Sequence, residues 1–369
     1  MSADVLTNRA LNRATLARQL LLERSALAPL RVVEHLVGLQ AQEPRDPYVA
    51  LWTRVEGFTP EGLEGLLLDR SVVRIAVKRS TIHLVTADDA LVLPSLVQPV
   101  LDAELARHPQ FAPHLRDVDL RPVLAFAREL LAGEPRTPAE LRAAIAEAFP
   151  DLHPGAMAYA CRNRLALVQV PPRGLWHGSG QVRYATAESW LGHPLEPEPS
   201  IDDVVLRYFA ALGPATAGDV SAWSRLTGMR EVVERLAPKL RPFRDERGRT
   251  LYDLPDAPRP DPDTPAPVRF LPEFDNVLLS HADRSRFEHP DERRRRWDAP
   301  DIRGTVLHDG VVSATWSLDG KVGPRSLLVQ HPAALPKRAR SAIEAEGRRL
   351  LRFLDSGEAT GDVRLVETG

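Results

Sequence analysis

The sequence predicts an α+β protein in which three winged-helix units precede a small β-rich domain. Two segments in the middle of the chain share one order of elements, three helices followed by a hairpin, which is the winged-helix order. A proline-rich stretch then separates them from a run of short strands. The chain has 369 residues, of which 43% are hydrophobic and 27% charged, and these values are typical of a folded protein of several domains.

The first predicted unit, residues 1–110, follows the winged-helix order more loosely than the other two. Its three helices and two strands are predicted, in chain order, at residues 11–22, 30–39, 59–69, 72–77 and 81–85. We expect the two strands to pair around the turn Lys78-Arg79-Ser80.

The second unit, residues 111–200, begins with three helices. Thr137-Pro-Ala-Glu140 combines an N-cap, a proline at the first helical position and a reciprocal glutamate, which predicts a helix start. A strand, a Pro171-Pro-Arg-Gly174 turn and an alternating strand follow as a hairpin. The helices and strands are predicted at residues 121–132, 137–148, 154–164, 165–170 and 181–186.

The third unit, residues 201–258, repeats this order. Thr216-Ala-Gly-Asp219 is a second capping signal at the matching position, and the polar tip from Arg244 to Arg249 is predicted to join the strands of another wing. The helices and strands are predicted at residues 202–212, 216–226, 229–240, 241–243 and 250–254.

Residues 259–267 are rich in proline and predict a linker, and residues 268–369 form the predicted C-terminal domain. Its strands are predicted at residues 268–271, 276–279, 304–307, 311–318, 327–330 and 362–366, with a helix at 337–354. Glu292-Arg-Arg-Arg-Arg-Trp297 lies in a predicted loop, where such a charge run is usually solvated surface.

Composition and missing motifs exclude several classes of protein. The single cysteine, Cys161, excludes a disulfide scaffold and a cysteine-based zinc or iron–sulfur site. The N-terminus lacks the apolar core of a signal peptide, and Pro94 and Pro99 interrupt the longest apolar stretch, so we expect a cytoplasmic protein without a membrane span. The sequence lacks a glycine-rich phosphate loop, a G-x-S-x-G elbow and an H-E-x-x-H motif, so we expect no metal and no cofactor.

One segment, residues 36–52, carries the candidate catalytic residues Gln40 and Gln42. A helix that begins near residue 30 cannot continue past Glu43, because Pro44 disfavours helical geometry in the residue before it. Side chains two residues apart point to nearly opposite sides of a helix but share one face of an extended chain. A local exit from the helix would therefore bring both amides to one point. The alternative is that the two glutamines cap helix carbonyls or face water.

Four short motifs occur together along the chain. They are Gln40-Ala-Gln42, Arg79-Ser-Thr-Ile-His83, Pro171-Pro-Arg-Gly-Leu-Trp176 with Trp190-Leu-Gly192, and Leu271-Pro-Glu-Phe-Asp275. In these motifs and their order, the sequence resembles the AlkZ/YcaQ family of winged-helix DNA glycosylases. The glutamine–aliphatic–glutamine form is similar to the AlkZ branch, which is associated with self-resistance to DNA-alkylating natural products. The YcaQ branch has aspartate at the position of Gln42.

The resemblance implies three winged-helix units and a C-terminal β-barrel in a C shape around DNA, with Gln40 and Gln42 catalytic. The implied reaction is hydrolysis of the N-glycosidic bond of bulky N7- or N3-alkylated purines, including interstrand crosslinks. A guanine alkylated at N7 is already cationic and leaves without a general acid, so two amide carbonyls suffice to place the attacking water. No lysine is a strong candidate for a Schiff-base nucleophile, so we expect a monofunctional enzyme.

Further candidates support the pocket or contact DNA. His83 and Thr81 share one strand face and are predicted to support the pocket, although His83 could equally be a hydrogen-bonded core residue. The candidates for phosphate contacts are Arg45, Lys78, Arg79, Arg173 and Arg183. The Arg173–Arg183 hairpin could enter a DNA groove with Trp176 and His177. Alternatively, Trp176 anchors the hairpin to the body of the protein.

The main alternative function is a winged-helix transcription regulator or drug-responsive DNA-binding protein that reads base edges without catalysis. A protein-interaction module is a third possibility, because the net charge of −2 does not indicate a nucleic-acid partner. Three units in one chain and the glutamine pair favour the glycosylase. Under that interpretation the partner is double-stranded DNA carrying alkylated purines, and we expect a nucleoid-associated monomer.

Overall fold

The computed structural model describes residues 4–289, 303–319, 325–331, 335–355 and 361–368. Within these ranges the chain forms helices and three separate sheets, which confirms the predicted α+β class. Two of the sheets have five strands and one has three. The arginine-rich run at residues 292–297 lies outside the described residues.

The N-terminal region contains the three helices and two strands predicted for it, and also further elements. In chain order the elements are β1 (Val5–Leu6), α1 (Asn8–Arg18), α2 (Pro29–His35), β2 (Leu39–Gln40), α3 (Asp46–Trp52), α4 (Pro60–Leu68), β3 (Val72–Ala76), β4 (Ile82–Thr86) and α5 (Ala87–Arg107). The sequence did not indicate the short strands β1 and β2 or the helices α3 and α5. Helix α5 was not predicted, because Pro94 and Pro99 argue against a helix interior. Its buried Leu93, Val97 and Leu101 recur every four residues, so core packing along one face offsets the cost of the prolines.

The second group of helices follows the predicted order. It comprises α6 (Arg121–Gly133), α7 (Pro138–Ala148), α8 (Pro154–Arg164), β5 (Leu167–Gln169), β6 (Tyr184–Thr186) and α9 (Ala187–Leu191). At the start of α7 the Glu140 amide donates to the Thr137 hydroxyl at 3.1 Å. The Thr137 amide in turn donates to the Glu140 carboxylate at 2.7 Å. The capping box predicted from the sequence is therefore formed.

The predicted boundary at residue 110 does not separate two sheets. Strand β3 pairs with β4 on one side and with β5 on the other, which gives the order β2-β4-β3-β5-β6. Arg74 lies opposite Gln169, and Ile75 lies opposite Val168. The hairpin assigned to the second unit thus extends the sheet of the first, a pairing between strands too far apart in sequence for local signals to predict.

The sheet of the third group also contains a strand from the N-terminus. Its elements are α10 (Ile201–Leu212), α11 (Ala217–Ser224), α12 (Met229–Leu236), β7 (Arg241–Asp245) and β8 (Thr250–Asp253). Strand β1 pairs in parallel with β7, so the sheet order is β1-β7-β8. Arg18 of α1 forms a buried bidentate ion pair with Asp253, at 2.6 and 2.8 Å. The N-terminal residues, which were assigned to the first unit, therefore pack against the third.

The C-terminal region forms an open sheet, not the expected barrel. Its elements are β9 (Arg269–Leu271), α13 (Asn276–Leu279), β10 (Gly304–His308), β11 (Val311–Asp319), β12 (Ser326–His331), α14 (Lys337–Leu354) and β13 (Val363–Glu367). The order β13-β12-β11-β10-β9 leaves β13 and β9 at the edges, so the described residues form no closed barrel. The strand predicted at residues 276–279 is also wrong, because Asp275 accepts from the Val277 amide and begins a short helix.

None of the helices in the described ranges combines the length and the apolar character that crossing a membrane requires.

Candidate active site

The chain leaves helix α2 abruptly just before the two glutamines. Val37 and Gly38 adopt φ angles of 53° and 87°, in the left-handed region that favours glycine. A Cβ atom at Gly38 would lie 2.7 Å from Val85 Cγ1, so the position requires glycine for space as well as for conformation. Extended backbone follows, because Gln40 pairs with His83 and the Ala41 amide donates to the Ile82 carbonyl at 2.8 Å. The predicted local exit from the helix exists, several residues before Pro44.

Three buried side chains hold the backbone of this turn. The Asn276 amide donates to the Gly38 carbonyl at 2.9 Å, and Arg74 Nη2 donates to the Ala41 carbonyl at 2.8 Å. Lys78 Nζ donates to the Val37 carbonyl at 2.6 Å. Two of these carbonyls lie just before Gln40 and the third lies between the glutamines, so the conformation of the motif depends on residues far away in the sequence.

Lys78 is not available for the phosphate contact predicted for it. The side chain is 2% exposed, and its ammonium lies over the Trp223 ring, 4.8 Å from the centroid. Burial, together with the charge of Arg79, holds the pKa of Lys78 well below its usual value. The structure therefore corrects its role from a DNA contact to a support of the glutamine turn.

Arg79 fixes the side-chain amide of Gln40. Its Nη2 donates to Gln40 Oε1 at 2.7 Å and lies 3.3 Å from His83 Nε2. Because a guanidinium can only donate, His83 Nε2 accepts, and Nδ1 carries the proton that is donated to the Thr81 carbonyl at 2.9 Å. Burial and the neighbouring cations Lys78 and Arg79 hold the pKa of His83 well below its usual value. His83 is therefore neutral. It is a hydrogen-bonded core histidine, and it also contacts the guanidinium of Arg79 that holds the Gln40 side chain.

A cavity of about 480 Å³ opens beside Gln40, which is itself 7% exposed. Arg79 and Thr81 line it from the turn between β3 and β4, and Phe274 lines it from the loop before α13. Gln42 is exposed and is not among the side chains of this wall; its Oε1 lies 3.5 Å from the Ile82 amide. The structure thus joins Gln40, Arg79 and Thr81 at one cavity and leaves Gln42 less firmly held.

The cavity also contains residues that sequence reasoning missed. Arg225, His281 and Arg284 all line it. His281 is buried, and burial lowers its pKa to about 3, so its neutral ring donates from Nε2 to the Leu212 carbonyl at 3.0 Å. These residues carry no motif in the sequence and belong to elements that only the tertiary fold brings to Gln40.

Carboxylates follow Gln42 closely in sequence and in space. Asp46 is 8% exposed, and its Oδ2 has no hydrogen-bond partner in the described part of the chain. Burial, helped by the charges of Glu273 and Glu43, raises the pKa of Asp46 to about 8. Burial and Glu43 raise the pKa of Glu273 to about 7. Glu273 belongs to the Leu271-Pro-Glu-Phe-Asp275 motif, which was the one signal that could have pointed to this cluster.

The Trp176 ring anchors the hairpin and does not extend toward a DNA groove. It is 3% exposed and packs 4.9 Å from the Tyr48 ring and 5.2 Å from the Phe353 ring. The guanidinium of Arg45 stacks on it at 4.9 Å, and the Tyr48 hydroxyl donates to the Gly174 carbonyl at 2.8 Å. Of the two interpretations kept for Trp176, the anchor is correct, and its prediction as a DNA contact is wrong.

The side chains of the other predicted DNA contacts differ in their exposure and in their hydrogen bonds to the protein. Arg183 donates to the Pro135 carbonyl at 2.6 Å and lies 3.4 Å from the Glu140 carboxylate, so it is held against the second helix group. Arg173 is half-buried and lies 3.5 Å from the Gly180 carbonyl, whereas His177 is exposed. His177 and Arg45 therefore keep the accessible surface that a DNA contact needs.

Comparisons with known proteins agree on one family. The family described as DNA glycosylase AlkZ-like matches residues 33–353. The solved structure of Streptomyces sahachiroi DNA glycosylase AlkZ is similar, with a TM-score of 0.76 and 20% sequence identity, over 99% of this chain and 100% of that one. A search of curated proteins finds no match. Within the described ranges no group of three or more histidine, cysteine or acidic side chains is arranged to hold a metal ion. Since the family match spans most of the chain, the protein belongs to the AlkZ-like DNA glycosylase family.

Proposed function

We propose that the protein is a monofunctional DNA glycosylase that hydrolyses the N-glycosidic bond of bulky N7- or N3-alkylated purines. One observation carries the proposal: the Gln40 amide is held by Arg79 at the wall of a cavity large enough for a nucleotide fragment. Arg79 occupies one lone-pair direction of Gln40 Oε1, which leaves the other for a water O–H. Gln42, on the extended chain two residues later, supplies the second carbonyl for that water.

Neutral amides suit a leaving group that is already cationic. Departure of an N7-alkylated guanine neutralises its charge, so the enzyme contributes chiefly by placing water against the developing positive charge on the sugar. A purine without the alkyl group lacks this advantage and needs a proton donor. The site is therefore selective for destabilised, alkylated bases, and no lysine in it forms a Schiff base.

We also propose that the helix groups act as three winged-helix units, near residues 1–110, 111–200 and 201–258, with 259–267 as a linker to residues 268–369. They curve around double-stranded DNA as a C-shaped monomer. An open cleft of this kind suits crosslinked bases, which cannot be turned fully out of the duplex. The expected consequence is unhooking of interstrand crosslinks and self-resistance to a DNA-alkylating natural product, in a nucleoid-associated enzyme.

The test is release of the base from duplex DNA that carries a single N7-alkylguanine. The protein should generate an abasic site that heat or alkali converts to a strand break, and it should cause no break without that treatment. Gln40→Ala and Gln42→Ala should reduce release, while Gln110→Ala, an exposed glutamine outside the site, should not. Full release by both variants of the motif would contradict the proposed mechanism. A sequence-specific footprint without any release would favour the transcription regulator.

A further inference from the structure

The cavity beside Gln40 adjoins a second cavity with a shared cationic wall. The second has a volume of about 540 Å³ and lies against α5, where Val100, Ala103 and Arg107 line it. Arg79 and Arg225 line both cavities, so these two side chains separate one open space from the other.

Arg225 is held at this position by an unusual backbone conformation. It is the C-cap residue of α11, with φ 64°, and its amide donates to the Ser221 carbonyl at 2.8 Å. Glycine or asparagine would fit this conformation with less strain, so local helix termination does not explain an arginine here. The Arg225 side chain is exposed, and within the described ranges it makes no hydrogen bond and no ion pair.

The charges around this wall are mostly of one sign. The pKa of Arg79 is lowered to about 10. Burial is the main cause, and the positive charges of Arg225 and Arg284 lower it further. Two acidic groups are near these arginines: Glu288 lies 3.9 Å from Arg284, and Glu104, which lines the second cavity, accepts from the Tyr159 hydroxyl at 3.3 Å. Arg79 itself is bonded to uncharged acceptors only, the Gln40 amide, His83 and the Trp223 carbonyl.

We propose that Arg79 and Arg225 form a binding site for a phosphodiester of the DNA strand that carries the reacting nucleotide. Planar guanidinium groups match phosphate oxygens in paired hydrogen bonds, and an anion would relieve the repulsion among the arginines. Because Arg79 contacts Gln40 directly, a phosphate bound there places the adjoining deoxyribose at the amide of Gln40. The inference rests on the proposed function, which supplies the sugar.

Arg225→Gln tests the site without removing the contact that orients Gln40. We expect weaker binding to undamaged duplex DNA, by severalfold at moderate salt, and a salt-dependence slope reduced by about one. Arg225→Lys should keep most of the slope, because the positive charge remains. Arg230→Gln is the matched control, since this arginine is 82% exposed and lines neither cavity. Arg225→Gln with an unchanged slope and affinity would overturn the proposal.

Neutral methylphosphonate linkages, placed one at a time around the lesion, locate the phosphate. We expect one position at which the substitution weakens binding of the unaltered protein but has little further effect on Arg225→Gln, since both remove the same contact. Independent effects at every position would overturn the proposal. The outcome is separable from that of the proposed function. A protein that releases no base but shows this coupling is a DNA-binding protein with the phosphate site, and one that releases base without the coupling is a glycosylase lacking it.

Discussion

The two sides of the glutamine motif differ in charge. On the side of Gln40, the charged groups at the cavity are the guanidinium groups of Arg79, Arg225 and Arg284. Beyond Gln42, the ionisable groups are the carboxyl groups of Glu43, Asp46 and Glu273. Burial acts on both sides with opposite results, since it lowers the pKa of Arg79 and raises that of Asp46.

This difference shows how a short extended segment separates two electrostatic environments. Each environment groups ionisable side chains of one kind, an arrangement that shifts their pKa values and is typical of functional sites. Under the proposed function, the arginine side attracts the DNA backbone. Variants that change one side of the glutamine motif at a time test whether the two environments act separately.

The largest effect is expected for Gln40→Ala. The amide is fixed at 2.7 Å by Arg79, so its loss removes a preorganised contact. We expect base release in single-turnover experiments to fall by about a hundredfold or more, with DNA binding nearly unchanged. A loss of binding that matches the loss of rate would instead assign Gln40 to DNA recognition.

Lys78→Met tests whether a buried basic side chain acts differently from the exposed Arg225. Loss of the bond to the Val37 carbonyl should lower the free energy of unfolding by about 1–3 kcal/mol, as measured by urea denaturation. The salt dependence of DNA binding should stay as in the unaltered protein, in contrast to Arg225→Gln. An unchanged stability with a reduced salt slope would restore the phosphate contact that the sequence predicted.

Gln42→Ala should have a smaller effect than Gln40→Ala. Its amide is exposed and its contact with the Ile82 amide is long, at 3.5 Å, so less of its geometry is fixed before substrate binds. We expect base release to fall by about tenfold, or roughly 1.4 kcal/mol in the barrier. If the two alanine variants lose the same rate, the amides act as one unit, and the difference in burial does not matter.

With Asp46→Asn we expect a change in how stability depends on pH. The folded protein keeps the Asp46 proton up to a pKa of about 8, whereas the unfolded chain loses it near the ordinary aspartate pKa of 3.8. This contribution to stability is therefore present below about pH 4 and is lost as pH rises through 8, with a slope of at most about 1.4 kcal/mol per pH unit.

Asp46→Asn should flatten the decline between pH 6 and 8, as followed by urea midpoints. The neutral histidines act in the opposite direction below about pH 6.5 and remain in both proteins, so they cancel in the comparison. If stability falls as steeply with pH in Asp46→Asn as in the unaltered protein, the fall is caused by Glu273 or another group and not by Asp46.

Local signals predicted most of the helices but not α3, α5, α9 or α13. Thr137 with Glu140 and Thr216 with Asp219 each form the capping box that the sequence indicates. Errors arose where tertiary contacts decide the outcome. The pairing of Arg74 with Gln169 joins two predicted units into one sheet. Core packing stabilises α5 although Pro94 and Pro99 lie inside it. Residues 276–279 alternate too little to distinguish a strand from the helix that Asp275 caps.

The candidate site was predicted in part for the same reason. Pro44 indicated that the helix ends, but Gly38 and its contact with Val85 determine where. Lys78 reads as a surface cation beside Arg79, and only the fold reveals that it is buried against Trp223. Arg225 and Asp46 carry no motif, so their relation to the glutamines depends on distances that a sequence does not contain.

The bond from Asn276 to the Gly38 carbonyl ties the N-terminal glutamine turn to a residue made much later during translation. A nascent chain released before that point lacks this support, and also lacks Asp275, which pairs with the buried Arg54. Truncated proteins that end before these residues are therefore expected to release no bases from DNA. We expect activity only from chains that extend past Asn276 of the 369 residues.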